Sequence, residues 1–248
     1  MIVEFVGSTG AGKTSLISKI HSRLASQAVA VTPFDMIATP LGLGGVAHPT
    51  LQNIIQETAG FPYFLFALKR HSSFILHTIK LFSRNSKFSI LTINNLRSLE
   101  RKLGVDEIIK RRKNNQIVLV DEGPVLAAHM FVFANQPVTP SEIETFAEYL
   151  PLPDLIVYIK APIETLVGRT LKRSDPPREM GSRDKGLIED FVRKAATLFD
   201  NLMESDKIKG RLLVVENPDL SVDEHDKLAD QVVAEILNHR ARLASSLS

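Results

Sequence analysis

Five short runs of apolar, partly β-branched residues punctuate the chain and predict five buried β-strands. Near-continuous apolar runs of this length are typical of a parallel sheet that is covered on both faces. The predicted strands are residues 2–6, 28–32, 117–120, 155–159 and 212–215. Apolar residues at helical spacing lie between most of them, so we expect an α/β fold with a five-stranded parallel sheet, helices on both faces and right-handed crossovers.

The stretch from about residue 40 to residue 115 interrupts this alternation, because it contains no clear strand pattern. Helically spaced apolar residues recur instead around Ile54, Phe74 and Leu96. We therefore expect a helical insertion over residues 40–115 that lies over the ligand side of the sheet. The length of 248 residues fits a single domain that spans residues 1–248 and includes this insertion.

Composition narrows the choice of function. The chain has no cysteine, which excludes disulfides, thiolate metal sites and a cysteine nucleophile. The net charge of +2 predicts no nucleic-acid partner. The apolar segment 61–82 is cut by Lys69, Arg70 and His71 into runs too short for a membrane span, although peripheral attachment through it stays open. We expect a cytoplasmic protein without a secretory signal.

The strongest motif begins directly after the first predicted strand. Residues 7–14 read G-S-T-G-A-G-K-T and match the phosphate-loop pattern G-x-x-x-x-G-K-[ST], with an amphipathic helix after it. The glycines let backbone N–H groups face phosphate oxygens, the Lys13 ammonium reaches the β- and γ-phosphates, and the Thr14 hydroxyl binds Mg²⁺. A glycine-rich turn that binds nothing is the alternative, and the strand–loop–helix setting disfavours it. The expected ATP-binding residues are Gly7, Ser8, Thr9, Gly10, Ala11, Gly12, Lys13, Thr14 and Ser15.

Two carboxylates follow the third predicted strand. A carboxylate at that end of a parallel strand lies beside the phosphate loop, so we expect Asp121 to join Thr14 at the Mg²⁺ ion. The alternative for Asp121 is a helix or turn cap. Three interpretations of Glu122 stay open: it orients a water as in ATP hydrolases, it binds the substrate, or it is a solvated turn residue.

Basic residues cluster after the fourth predicted strand. Arg169 and Arg173 are four positions apart and therefore lie on one helix face, and Arg178 and Arg183 follow in a Pro- and Gly-containing loop. Arginines that close over a γ-phosphate stabilise the charge that develops during transfer. A solvated basic helix end is the alternative. We expect an arginine-bearing lid over about residues 169–185.

In these motifs the sequence resembles the P-loop nucleoside and nucleotide kinases, especially the thymidylate kinase and deoxynucleoside kinase group. The resemblance covers the phosphate loop, the third strand, the segment P-D-L-I-V-Y-I-K-A-P-I-E-T-L-x-x-R-x-x-x-R over residues 153–173 and the final strand. It implies that Arg169 and Arg173 embrace the transferring phosphate and that Asn217 lies in a loop beside the adenine of ATP. It also implies a homodimer formed through the insertion helices.

The sequence departs from this family at two places. Many members carry an acid–arginine pair after the third strand and use that arginine on the acceptor side, whereas this chain has Asp121, Glu122 and Gly123. Deoxynucleoside kinases also place a catalytic carboxylate after the second strand. Asp35 is the nearest candidate here, and its alternative role is to cap the next short helix.

Our leading hypothesis is a P-loop kinase that transfers the γ-phosphoryl group of Mg·ATP to a small acceptor. The acceptor would be a nucleoside or nucleotide first, and a sugar or another alcohol second. Lys13, Arg169 and Arg173 would be catalytic, together with Asp35 or Glu122 on the acceptor side. The rivals are an ATPase or nucleotide switch that acts on a protein or membrane partner, and an ATP-binding module without turnover.

Overall fold

A computed structural model of the chain contains the five-stranded sheet that the apolar runs predict. The structure describes residues 1–26, 30–85, 90–112, 115–133, 138–173 and 184–245. The strands are β1 (Ile2–Val6), β2 (Ala30–Val31), β3 (Ile117–Val120), β4 (Leu155–Lys160) and β5 (Leu212–Glu216). All of their pairings are parallel, in the order β2-β3-β1-β4-β5, which places β1 and the loop after it at the centre.

The segments between the strands are mostly helical. The helices are α1 (Lys13–Ala25), α2 (Pro33–Ala38), α3 (Pro49–Arg70), α4 (Ser72–Asn85), α5 (Ile90–Arg111), α6 (Pro140–Tyr149), α7 (Ile163–Leu171), α8 (Lys185–Met203), α9 (Asp206–Lys209) and α10 (Val222–Ser245), with 3-10 segments at Thr39–Leu41 and Val125–Phe133. Strand β2 is shorter than predicted, because Thr32 is already the N-cap of α2, and residues 28 and 29 lie outside the described residues.

Both faces of the sheet are covered. Val3, Glu4, Phe5 and Val6 are consecutive in β1 and all are buried, although successive strand residues point to opposite faces. Parallel sheets covered in this way read as continuous apolar runs, which is why the strands could be found from the sequence.

From Pro49 to Arg111 the described residues are almost entirely helical, as expected, whereas residues 42–48 form turns and irregular structure. Phe74 and Phe82 of α4 belong to the same buried apolar cluster as β1 and β4, and Ile108 of α5 clusters with Val118 of β3, so the insertion shares the core that covers the sheet. No helix among the described residues is long and apolar enough to cross a membrane.

Helices α3 and α5 cross at a pair of glycines. A Cβ atom built on Gly104 would lie 2.4 Å from the carbonyl oxygen of Gly60. The two backbones therefore approach more closely than larger residues would permit. Arg97 and Arg101, four residues apart on α5, donate hydrogen bonds to Glu57 and Asn53 of α3. This close packing fixes the part of α5 that faces the end of β3.

Candidate functional site

The phosphate loop lies between the end of β1 at Val6 and the start of α1 at Lys13. Gly10 and Gly12 have φ angles of 84° and 86°, which L-residues with a side chain rarely adopt. A Cβ atom on Gly10 would lie 2.4 Å from the carbonyl oxygen of Leu166, and one on Gly12 would lie 2.5 Å from the Asn217 amide nitrogen. Both the backbone angle and the lack of space therefore require glycine at these two positions.

The Lys13 side chain folds back so that its ammonium group contacts this loop. Its Nζ donates to the carbonyl oxygens of Gly7 at 2.8 Å and Ser8 at 3.3 Å. Burial lowers the pKa of Lys13, the nearby carboxylates of Asp121 and Glu122 raise it, and the Arg173 guanidinium lowers it. The charges of Asp121, Glu122 and Arg173 therefore all act on the Lys13 ammonium.

Thr14 and Asp121 form the pair expected at the metal. The Thr14 hydroxyl donates to Asp121 Oδ2 at 3.3 Å, although the two residues are 107 positions apart. Burial raises the pKa of Asp121, whereas Lys13 and the Thr14 hydrogen bond lower it. A hydroxyl and a carboxylate fit Mg²⁺, which usually takes only one or two protein oxygens and completes its shell with water and phosphate. No group of three His, Cys, Asp or Glu converges elsewhere in the described part of the chain.

The remaining loop residues are placed around the same cradle. The Ser8 hydroxyl is buried and has no hydrogen-bond partner among the described residues. A buried hydroxyl without a partner costs free energy, so a phosphate oxygen at this place would satisfy it. The Ala11 N–H donates to the Ser8 carbonyl oxygen at 3.1 Å and closes the turn. Thr9 is half-buried, and Ser15 is exposed on the first turn of α1.

Glu122 is paired with two cations of the helical insertion. Its Oε2 lies 2.5 Å from Arg101 Nη2 and 3.8 Å from Lys102 Nζ. The Glu122 side chain is 50% exposed, whereas those of Arg101 and Lys102 are 16% and 8% exposed. Burial opposes ionisation, but Lys102 and Arg101 outweigh it and lower the pKa of Glu122. The guanidinium missing after β3 in the sequence is therefore present in space, supplied by α5.

A buried carboxyl group on β1 also interacts with this group of charges. Glu4 of β1 is 1% exposed, and its Oε1 accepts a hydrogen bond from the Leu126 N–H at 2.9 Å. Burial raises the pKa of Glu4 to about 8, against the lowering effect of the N–H groups of Leu126 and Val125. Sequence reasoning missed Glu4, Arg101 and Lys102. A glutamate inside an otherwise apolar strand was the available signal for the first of them.

His129 is another residue that sequence reasoning missed. It lies in the 3-10 segment after β3, 6.2 Å between ring centroids from Phe199 and 5.4 Å from Phe191. Burial, and then Lys13 and Lys102, lower the pKa of His129 to about 3. The imidazole is therefore neutral at neutral pH.

Arg169 and Arg173 of the expected lid occupy different places. The Arg169 guanidinium donates to the carbonyl oxygens of Asn217 at 3.1 Å and Pro218 at 2.7 Å, and it lies 3.2 Å from Asp219 Oδ1. Its Nη1 also lies 3.5 Å from the Gly10 carbonyl oxygen, so Arg169 connects the loop after β5 to the phosphate loop. Arg173 is exposed, and its charge contributes to the lowered pKa of Lys13. Arg178 and Arg183 lie outside the described residues.

Asn217 braces the phosphate loop from the other side. Its side chain is fully buried, and Nδ2 donates to the Ala11 carbonyl oxygen at 2.7 Å. Its backbone N–H donates to the Lys160 carbonyl oxygen at 2.7 Å. The expected nucleotide-binding residue after β5 therefore acts on the loop through a hydrogen bond, and the segment that follows it is held by Arg169.

Asp35 forms the helix cap that was the alternative to its expected role on the acceptor side. Its carboxylate accepts from the Thr32 hydroxyl at 2.7 Å and from the Thr32 N–H at 3.3 Å, in a capping box at the start of α2. Strand β2 pairs with β3 only at Ile117 and Val118, so α2 begins before the edge where Asp121 lies. The capping alternative describes its position.

The architecture is shared with solved kinase structures, whereas no protein-family model and no curated protein sequence matches the chain. A deoxyadenosine kinase from M. mycoides with bound dATP is 15% identical, with a TM-score of 0.52 over 94% of this chain and 100% of that chain. A thymidylate kinase from Candida albicans is 12% identical, with a TM-score of 0.55 over 96% of this chain and 92% of that chain. At this identity the likeness concerns the fold alone, and it confirms the expected α/β fold with a five-stranded parallel sheet and helices.

Proposed function

We propose that this protein is a P-loop kinase that transfers the γ-phosphoryl group of Mg·ATP to a small acceptor, a nucleoside or a nucleotide. One observation carries the proposal: the Thr14 hydroxyl and the Asp121 carboxylate meet at 3.3 Å beside Lys13, at the mouth of a glycine-dependent phosphate loop. That constellation binds the phosphates and the metal of a nucleoside triphosphate. The fold shared with a deoxyadenosine kinase and a thymidylate kinase supports the acceptor class.

Each group of site residues has a role that follows from its position. The loop N–H groups, the Ser8 hydroxyl and the Lys13 ammonium would bind the phosphates, and Thr14 and Asp121 would hold Mg²⁺. The metal ion, when bound, neutralises charge on the β- and γ-phosphate oxygens. Arg173 would stabilise charge on the transferring group, and Arg169 would order the loop beside the base. Such catalysis consists of positioning and charge stabilisation and needs no covalent enzyme intermediate.

An acceptor-dependence assay tests the proposal. Purified protein is incubated with ATP and Mg²⁺ alone, and then with a panel of nucleosides, their 5′-monophosphates and hexoses. ADP release is followed, and products are identified by mass spectrometry. We expect slow basal hydrolysis, faster ADP release with an acceptor and a phosphorylated acceptor in the product. ADP release that no acceptor raises would refute the kinase function.

An ATPase or nucleotide switch acting on a protein or membrane partner is the second candidate. The observation that favours it is the half-exposed Glu122 directly after Asp121, because ATP hydrolases use such a carboxylate to orient water. Under that function, Glu122→Gln would trap bound ATP with little hydrolysis, and the parent would hydrolyse ATP quickly without an acceptor. A module that binds ATP without turnover would show neither activity.

We also propose that the protein forms a homodimer through α3. Leu51, Ile54, Phe61 and Leu65 are each at least half exposed and, with Thr58 between them, follow a three-to-four residue spacing along one face of this helix. A second copy presents the same stripe, so a two-fold pairing would bury both. Light scattering tests this: Phe61→Glu should give a monomer, and Val222→Glu, at an exposed site on α10, should not. A monomeric parent would refute it.

The cellular location and the kind of partner are predictions from the sequence. A cytoplasmic location and the lack of a nucleic-acid partner rest on the composition and net charge alone. Fractionation of the native host and a binding assay with single- and double-stranded DNA and RNA would check them.

A further inference from the structure

A cavity lies at the edge of the sheet opposite to the phosphate loop. It has a volume of about 430 Å³ and is lined by the first residues of β4 and β5 and by the last turns of α10. Leu155 begins β4 at the cavity, whereas Ile159 of the same strand closely approaches Gly7 of the phosphate loop. A strand rises about 3.3 Å per residue, so these two places are about 13 Å apart along β4. The cavity is therefore separate from the proposed ATP site.

Part of the cavity lining is apolar. Leu155, Leu212, Leu213 and Leu243 line it, and the last three of these leucines are only partly buried. Sites for small molecules are typically clefts of about 300–1,000 Å³ with a mainly apolar lining and a few polar groups. The volume and the leucines of this cavity therefore fit a small molecule that has an apolar part.

The polar side chains of the lining come from α10 and from the start of β5. Glu235, His239 and Arg242 follow one another at helical spacing and therefore share one face of α10. Arg211, directly before β5, lines the same cavity. Two guanidinium groups thus accompany one carboxylate, so the lining is positively charged whichever form His239 takes.

The two guanidinium groups are available to a ligand. Arg242 is exposed, and its side chain has no hydrogen-bond or ion-pair partner among the described residues. Arg211 donates from Nη1 to the Pro153 carbonyl oxygen at 2.8 Å, which holds the side chain in place and leaves further N–H groups of the guanidinium for a ligand. His239 Nε2 lies 3.0 Å from the Asp154 carbonyl oxygen, so its ring is held as well.

We propose that this cavity is a second ligand-binding site, which takes a small soluble molecule with one carboxylate or phosphate group joined to an apolar group. A planar guanidinium binds either anion through two N–H groups. The four leucines would cover the apolar part of the ligand. The Glu235 carboxylate would repel a second anionic group, which is why the ligand carries one. The proposal does not depend on the kinase function.

Calorimetric titration of the full chain with octanoate and with hexyl phosphate tests the ligand class. Octanamide, octylamine and inorganic phosphate are the controls, because each lacks either the anion or the apolar group. We expect at least one of the two amphipathic anions to bind at one site per chain, at least about tenfold more tightly than any control. A saturating non-hydrolysable ATP analogue with Mg²⁺ should not displace it, since the two sites are separate.

Three results of this titration would overturn the proposal. The first is that neither anion binds, or that octanamide binds equally well. The second is displacement of the anion by the ATP analogue. The third is that the protein sediments with vesicles of phosphatidylcholine and phosphatidic acid but binds neither soluble anion, because the positive surface would then recognise a membrane.

Variants of the lining should act in opposite directions. Arg242→Gln should weaken binding of the better anion at least about tenfold, whereas Glu235→Gln should strengthen it about two- to fivefold. Arg211→Gln should also weaken binding, and its Tm is measured because this change removes the bond to Pro153 as well. Arg193→Gln on α8 is the control, since Arg193 is exposed and does not line the cavity. Equal effects of Arg242→Gln and Arg193→Gln, or weaker binding by Glu235→Gln, would refute the assignment.

Discussion

The Arg101 guanidinium of α5 lies 2.5 Å from the carboxylate of Glu122, which follows β3 and is 21 positions away in the sequence. The relationship places a buried cation behind an exposed carboxylate at the end of β3. It also supplies from α5 the guanidinium that the sequence lacks after that strand. The geometry of the site around this pair leads to five predictions.

Lys13→Ala should abolish most ATP turnover while the fold survives. Among the described residues the ammonium donates to carbonyl oxygens of the loop, and the nearby Asp121 keeps its hydrogen bond from Thr14, so we expect the fold to tolerate the change. Loss of one donor to a developing charge costs about 10² to 10³ in kcat. Turnover and Tm are measured together, with Lys19→Ala as the control because Lys19 lies on the same helix and pairs with Asp226. Undiminished turnover in Lys13→Ala would contradict the phosphate-binding role.

Arg169 and Arg173 should separate into two effects. Arg169 binds the carbonyl oxygens of Asn217 and Pro218, so Arg169→Ala should weaken ATP binding about tenfold through the loop after β5. Arg173 lies near Lys13, so Arg173→Ala should lower kcat about 10²-fold with little change in ATP affinity. Nucleotide titration and steady-state kinetics of both variants check this. The same profile for both variants would show that the two arginines act as one lid.

Asn217→Ala should destabilise the phosphate loop. The change removes the donor to the Ala11 carbonyl oxygen and opens space beside Gly12 in a fully buried place. We expect a loss of about 1 to 3 kcal/mol in the free energy of unfolding and weaker ATP binding. Urea unfolding measures the first and nucleotide titration the second. Asn201→Ala on the exposed face of α8 is the control. An equally small loss in the free energy of unfolding for the two variants would contradict a stabilising role of Asn217 at the phosphate loop.

Gly104→Ala should force α3 and α5 apart. The added methyl group would lie 2.4 Å from the Gly60 carbonyl oxygen, a backbone atom, so one of the two helices must shift. Overpacking of this kind costs about 1 to 3 kcal/mol. Gly168→Ala in α7 is the control, since no atom lies within 4 Å of the place that its methyl group would occupy and alanine favours a helix. Urea unfolding of both variants should show a loss only for Gly104→Ala.

Glu4 should make stability fall as the pH rises. Burial raises its pKa from 4.5 to about 8, so the folded protein holds a proton on Glu4 that the unfolded chain has lost between those values. Stability from this group is full below pH 4.5 and is lost on the way to pH 8. Glu4→Gln keeps the uncharged form, so its advantage over the parent should grow by a few kcal/mol between about pH 5.5 and pH 8.5. Glu189→Gln on the surface is the control, and a pH-independent difference for Glu4→Gln would contradict the burial argument.

Much of the fold and part of the site were predictable because their signals are local. The apolar runs gave strands β1, β3, β4 and β5 to within one residue, since a covered parallel sheet needs continuous apolar strands. The phosphate loop is likewise a contiguous segment. Its residue types follow from backbone angles and close approaches at Gly10 and Gly12. Thr14 and Asp121 could be paired in advance because parallel strands end at one edge of the sheet.

The charged groups around Glu122 were decided only by tertiary structure. Arg101, Lys102 and Glu4 reach Glu122 or its neighbours from α5 and β1, and no local pattern marks a charged residue as facing the cleft. Asp35 looked equally suited from its place after β2, but the early end of that strand directs it to the capping box of α2. The short-range spacing of apolar residues determines whether a segment forms a helix or a strand. Which charges meet depends on where elements end and how closely they cross, as α3 and α5 do at Gly60 and Gly104.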